Sequence, residues 1–452
     1  MTTHLTPAAG VGAPVRWLLS PDLMPDARAI ASLERLAKMP ALVHHVAVLP
    51  DVHLKSGQAT PTGTVFAARG AVLPTAVDAG IGCGIRMVSS RVPARALDAG
   101  ALDGIFRELM RRVPVARHET EVLTPGEVEA ILTEGPAWCV RARGLPPAEL
   151  DAVEDTALAS EDDDAGLAAA VPLKAKQKAM RTFGTLGGGN HFVELQEIVE
   201  VLDPERAAAW GLAEGQAFFM IHTGSRSIGS KTIKGMVREH GGDPESLIEI
   251  PTHSDSGRAA AAAIRGATRF GFANRAMIHQ ALRDAVRRVL GDRAPELPLL
   301  FDCAHVSIRP ERWNGEALWV HRHGASRALP ASAIAGHPVF SRTGQPAPVP
   351  GSMGHDSFVC AAAEGALEAF GSVNHGAGRT LDKPEAGARF TDGMIESEMR
   401  TKGIRLYRYG LGSIAEQAPA AFKSISRVVD AMAALSLARP VARLRPVAVL
   451  KG

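Results

Sequence analysis

Residues able to do chemistry fall at the ends of short β-like runs from Asp51 to Lys451 in this 452-residue chain. A fold that uses them together must therefore draw nearly the whole length of the chain around one place. β-rich pieces recur at Gly63-Thr-Val-Phe-Ala67, Ile85-Arg-Met-Val88, Ala217-Phe-Phe-Met-Ile-His222, Leu299-Leu-Phe-Asp302, Ala317-Leu-Trp-Val-His321 and Ser357-Phe-Val-Cys360, and most run into Gly, His or Asp. Polar groups on loops at strand ends are the usual arrangement of a layered α/β domain. Helical periodicity runs from Pro25 to Leu36, stops near Pro40, and returns from Ser256 to Leu290 as one long helix. The strand-like run His44 to Leu49 delivers Asp51-Val-His53 to a strand end. Seven arginines of the long helix (Arg258, Arg265, Arg269, Arg275, Arg283, Arg287, Arg288) read as a solvated face rather than one turned to phosphate. Residues 151–170, with Glu161-Asp-Asp-Asp164 and an alanine-rich stretch, read as a solvated acidic insertion. Motifs lie on both sides of it, so the expectation is one large α/β catalytic domain over residues 1–452.

Apolar residues make up 46% of the chain, enough for a packed core without disulfides. A formal net charge of +2 argues against coating nucleic acid by bulk electrostatics and leaves room for a local basic groove. Cys83, Cys139, Cys303 and Cys360 form no CxxC pair, and the first residues lack the charged and apolar regions of a leader, so a reducing cytoplasm is expected. No window approaches eighteen uninterrupted apolar residues, so no membrane span is expected.

The histidines sit in glycine-rich turns: Gly187-Gly-Gly-Asn-His-Phe192, His222-Thr-Gly-Ser-Arg226, Asp302-Cys-Ala-His305 and Ser372-Val-Asn-His-Gly-Ala-Gly-Arg379. Val77-Asp-Ala-Gly-Ile-Gly-Cys-Gly84 adds a thiol. One such histidine is more often a turn residue than a ligand. Several of them with a cysteine, on backbone that glycine lets approach closely, describe a site for a borderline divalent ion such as Zn2+, Mn2+, Fe2+ or Co2+ beside an anion pocket. In His375-Gly-Ala-Gly-Arg379 an imidazole, exposed N–H groups and an arginine form a cradle for a phosphoryl group, and imidazole is a competent phosphoryl acceptor. The alternative there is a plain anion-binding turn with a spectator histidine. Phe183 and Phe192 flank the glycine triplet and mark it as packed, and the apolar run before Lys451 suggests a strand carrying that lysine into a pocket.

At these residues the chain resembles the RtcB family of RNA-splicing ligases. The likeness runs in order through Pro50-Asp-Val-His53, Gly80-Ile-Gly-Cys-Gly84, Gly184-Thr-Leu-Gly-Gly-Gly-Asn-His-Phe192, His222-Thr-Gly-Ser-Arg226, Asp302-Cys-Ala-His305, Val320-His-Arg-His-Gly-Ala-Ser-Arg327, Pro350-Gly-Ser-Met-Gly354, His375-Gly-Ala-Gly-Arg379 and Lys451-Gly452. The resemblance implies a single α/β domain with a central metal-lined cleft. It implies an enzyme that uses GTP and one or two Mn2+ ions to join an RNA 3′-phosphate or 2′,3′-cyclic phosphate to a 5′-hydroxyl. His375 is then the nucleophile that carries GMP, and Cys83, His191, His222 and His305 are the metal ligands. Asn190 steadies phosphates, Glu194, Ser357 and Lys451 read guanine, and Phe192, Gly376, Ala377 and Phe422 join the GTP site. Arg226 and Arg379 meet RNA or its phosphates. An archease-like activator is a further partner the resemblance raises.

Departures from the family pattern cluster in the same motifs. Gly80 stands where the family carries a metal-binding Asp, and Asp78, two residues earlier, is the substitute ligand to be tested. Val306, Asn374, His355 and Phe422 replace the family's Asn, Cys, Thr and Tyr. Two alternatives therefore accompany the ligase: a metal-dependent hydrolase or nucleotidyltransferase that no longer seals, and a non-catalytic RNA-end binder.

Overall fold

Asp26 accepts a hydrogen bond from the Ala29 N–H and so caps the helix Ala27–Ala37, which starts two residues inside the boundary read from periodicity. The computed structural model describes residues 4–6, 12–115, 122–154, 166–243, 245–410 and 412–452. It shows a mixed α/β fold organised by two large sheets. The smaller sheet has the strand order His4–Thr6, Val15–Trp17, Leu42–His53, Thr62–Ala68, Glu316–His323, Val306–Trp313. The larger runs Leu299–Ala304, Gly84–Pro93, Gln216–Thr223, Phe192–Val201, Ala438–Lys451, Ser357–Ala362, Pro346–Val349, with Arg405–Arg408 added in parallel beside the Lys451 end. Several of these strands are buried along most of their length, which is why they read as continuous apolar runs rather than clean alternation.

The long helix spans Asp255–Leu290, capped by Ser254, and packs against the larger sheet and a group of shorter helices. Its arginines correct the solvated-face expectation. Arg258, Arg287 and Arg288 are exposed, but Arg269 and Arg275 are buried. Arg275 donates to Asp302 at 2.7 Å and to the carbonyls of Gly82 and Thr223 at 2.7 and 2.9 Å. A charge counts as polar in a periodicity, and the buried Asp302 that neutralises this one lies on another element.

The insertion is corrected at both flanks. Ala152, Val153 and Glu154 are buried, with Glu154 accepting from the Ala304 N–H at 2.8 Å and pairing with Arg309. The helix Leu167–Ala170 packs on the long helix through buried Leu167. Glu161-Asp-Asp-Asp164 lies outside the described residues. Among the described residues no helix is long and apolar enough to cross a membrane.

Candidate active site

Four neighbouring strands of the larger sheet, Leu299–Ala304, Gly84–Pro93, Gln216–Thr223 and Phe192–Val201, alternate in direction. The ends of the first and third therefore share one rim with the starts of the second and fourth. That rim carries His305, Cys83, His222 and His191 in spatial order. The Cys83 Sγ lies 3.4 Å from His222 Nε2 and 3.6 Å from His191 Nε2, and His222 Nε2 lies 3.3 Å from His305 Nε2. The donor atoms of Cys83, His222 and His305 all fall within 4.8 Å of one another. His191 Nδ1 sits 2.9 Å from the Leu186 carbonyl and His222 Nδ1 3.1 Å from that of Asn190. A carbonyl only accepts, so each Nδ1 carries the proton and each Nε2 offers its lone pair at the sulfur.

Burial lowers His191 to about 3 and holds His222 and His305 well below the usual imidazole value, so all three are neutral. Burial also pushes the Cys83 thiol up to about 12, and a bound cation is what would make it a thiolate near neutral pH. One sulfur and neutral imidazole nitrogens, those of His191 and His222 with tautomers fixed by carbonyls, fit a borderline divalent ion. Asp78 is not brought into this group. Its Oδ1 accepts from the Gly80 N–H and its Oδ2 from Gln58 Nε2, both at 2.9 Å, and Lys55 Nζ lies 3.6 Å from Oδ2.

His375 follows the short strand Ser372–Asn374, and its ring centroid is 5.1 Å from that of His305. Its Nδ1 lies 2.6 Å from Asp51 Oδ2, and its backbone N–H donates to the same oxygen at 3.2 Å. The carboxylate accepts a hydrogen bond from the Nδ1–H and leaves Nε2 as the free lone pair. Gly378, at φ +72°, lets the turn lie on this pair, since a Cβ there would sit 2.2 Å from the Asp51 carbonyl oxygen.

One cleft takes His375, His222 and His305 into its wall. Asn190, Phe192, Glu194, Ser357 and Lys451 lie in the same wall, as do Gly376, Ala377, Arg379 and Phe422. Gln196 Nε2 donates to Glu194 Oε1 and, at 2.9 Å, to Ser357 Oγ. Ser357 Oγ also accepts from the Gly351 N–H at 3.2 Å, which frees its own O–H to donate to a ligand. Burial raises Glu194 to about 7 and lowers Lys451 to about 7. Lys451 Nζ stands 5.4 Å from the centre of the Phe192 ring. The buried Asn190 Oδ1, Gln417 Oε1 and Arg379 Nη1 have no hydrogen-bond partner among the described residues, so the cleft wall holds donors and acceptors that a polar ligand would satisfy.

A family profile described as tRNA-splicing ligase RtcB matches residues 32–452. The chain belongs to the RtcB family. It is 32% identical to the tRNA-splicing ligase RtcB of Thermococcus kodakarensis over 95% of this chain and 92% of that protein. It is 34% identical to the RNA-splicing ligase RtcB of Mycobacterium tuberculosis over 92% of this chain and 99% of that protein. With the Pyrococcus furiosus tRNA-splicing ligase RtcB it shares 32% identity over 82% of this chain, spanning 40% of that longer relative.

Within this RtcB member the two arginines differ in setting. Arg379 stacks on Phe422 with its guanidinium carbon 4.8 Å from the ring centre and donates to the carbonyls of Leu381 and Glu416, leaving Nη1 unspent. Arg226, at φ +56°, donates to Thr185 Oγ1 at 3.0 Å and lies against the Gly187 turn, outside the cleft wall. Asp51 is a site residue beyond those expected from the sequence; the acid beside a strand-end His in Pro50-Asp-Val-His53 is its signal there. Gln196 and Lys55 carried no signal, because their meaning depends on which strands become neighbours.

Proposed function

We propose that this chain is a GTP- and metal-dependent RNA ligase that joins 3′-phosphate or 2′,3′-cyclic phosphate ends to 5′-hydroxyl ends through a histidine–GMP intermediate. The observation that carries the reading is the free Nε2 of His375 in one cleft with His222 and His305, two members of the Cys/His donor group, and with a subsite of Glu194, Ser357, Lys451 and two aromatic rings. A divalent ion on Cys83, His222 and His305, with His191 against the same sulfur, supplies Lewis-acid neutralisation of phosphate charge when bound; Mn2+ is the ion of this reading.

His375 Nε2 attacks the α-phosphorus of GTP, the P–N bond forms, and the bond to the β-phosphate oxygen breaks as pyrophosphate leaves. Asp51 holds the Nδ1 proton and the orientation of the ring throughout. An oxygen of the RNA 3′-phosphate then takes GMP, with a P–O bond made and the P–N bond broken. A cyclic end first adds one water to become a 3′-phosphate. The 5′-hydroxyl oxygen finally attacks the activated 3′-phosphorus and gives up its proton to solvent, a P–O bond forms, and the anhydride P–O bond breaks as GMP departs. Glu194 and Ser357 face the guanine edge, Phe192 and Phe422 its flat surfaces, Asn190, Gly376 and Ala377 the phosphates, and Arg226 and Arg379 the RNA. The four unpaired cysteines agree with a reducing cytoplasm. An archease-like activator would serve repeated turnover.

Incubation with GTP labelled at the α-phosphate and Mn2+ should leave an acid-labile, base-stable label on the protein that His375→Ala abolishes. The same preparation should seal RNA ends of the stated chemistry. A wild-type protein that takes no label under these conditions overturns the reading.

A further inference from the structure

Two features of the metal-bearing rim are unequal. On one side of the Cys83 sulfur, His222 and His305 complete a three-donor group, whereas on the other side His191 stands with the sulfur alone. The carboxylate of Asp78, five residues before Cys83, is already engaged. One oxygen accepts from the Gly80 N–H and the other from Gln58 Nε2. Turning it to a cation would leave both half-buried donors without their acceptor and would strip Lys55 of its counter-charge.

Lys55 itself is under-used. Its ammonium has three N–H donors, and the carboxylate paired with it among the described residues, Asp78, is 3.6 Å away, past good hydrogen-bond length. The side chain is a quarter exposed and lines the same cleft as His222, His305 and His375. Asp78, pinned at both oxygens, fixes where this ammonium stands. Within the reading of the cleft as a triphosphate site, a cation held there meets phosphate oxygens.

We infer that the centre holds one divalent ion, on Cys83, His222 and His305, and that Lys55, anchored by Asp78, supplies the second positive charge as a phosphate-contacting catalytic residue. Asp78 is then a positioning residue for a lysine and contributes no metal bond. A charge-assisted hydrogen bond from an ammonium to phosphate is worth about 10- to 100-fold in affinity.

The test uses full-length metal-stripped protein reloaded with Mn2+, its ions counted by elemental analysis and its affinity measured for a GTP analogue that cannot transfer its α-phosphate. Wild type, Asp78→Asn and Lys55→Met should each bind one ion with similar affinity. Lys55→Met should lose about 10- to 100-fold in analogue affinity, Asp78→Asn should lose less, and Lys55→Arg should recover part of it. Two ions in wild type with one in Asp78→Asn would make Asp78 a ligand and overturn the inference. Unchanged analogue affinity in Lys55→Met would overturn the lysine's role. Failure of the ligase reading is separately visible, as absence of label on His375 in wild type, and leaves the ion count intact.

Discussion

At the scale of single residues, Glu194 offers the sharpest pH signature. Burial raises its carboxyl from 4.5 to about 7, so near neutrality the group is poised between acid and acceptor. Guanine presents N–H groups and selects the ionised form. GTP affinity should therefore rise with pH through about 7 and then level, and Glu194→Gln should bind more weakly with that rise removed. Calorimetric titration of both proteins on either side of neutrality checks it; a wild-type affinity that is flat through this window removes Glu194 from the base subsite. For folding the sign is reversed. A raised native value means the folded chain holds the proton longer, so this group's stabilisation is present below the unfolded value of 4.5 and is lost as pH rises through about 7. The swing is on the order of 3 kcal/mol. Lys451, lowered to about 7, contributes stability that is present above the ordinary lysine value and lost as pH falls through about 7.

At the scale of elements, the long helix reaches the site through its glycines. A Cβ on Gly271 would lie 2.5 Å from the carbonyl oxygen of Gly82, the residue before Cys83, and that obstacle is backbone. A Cβ on Gly266, in the same helix, would meet nothing closer than 3.5 Å. Helix propensity alone favours alanine over glycine by about 1 kcal/mol at either position. Gly266→Ala should thus stabilise by about that amount, whereas Gly271→Ala should cost about 2 kcal/mol and weaken metal binding by displacing the Cys83 turn. Urea denaturation with a metal titration separates the two; equal effects would show that the Gly271 approach is not tight. The extent of this helix was legible in the sequence, since its periodicity from 256 to 290 matches Asp255–Leu290 to one residue. Its use was not. Gly271 and Arg275 acquire meaning only when Gly82 and Asp302 fold against them, and no local pattern records that contact.

At the scale of the molecule, the site lies where several substructures meet. Asp51 belongs to the smaller sheet, the Cys/His donors to one rim of the larger, and His375 follows a short strand paired with Ala325–Arg327. That the whole chain contributes was readable from motifs scattered between Asp51 and Lys451. The order of the donors was not, because residues 83, 191, 222 and 305 in sequence become 305, 83, 222, 191 across the sheet, and strand order is decided by long-range pairing. A ligand that touches all three substructures stabilises only the state in which they are assembled. An ion at a hundred times its dissociation constant adds about 2.7 kcal/mol, and GTP adds its own increment by the same law. Thermal unfolding of metal-stripped protein should therefore shift upward with Mn2+ and further with GTP. Cys83→Ala should lose the metal shift. His375→Ala should keep it, because in the proposed reading Nε2 of His375 is offered to phosphorus and the ion is held by Cys83, His222 and His305. A metal shift that survives in Cys83→Ala, or vanishes in His375→Ala, would place the ion on other residues and separate the imidazole from the role of acceptor.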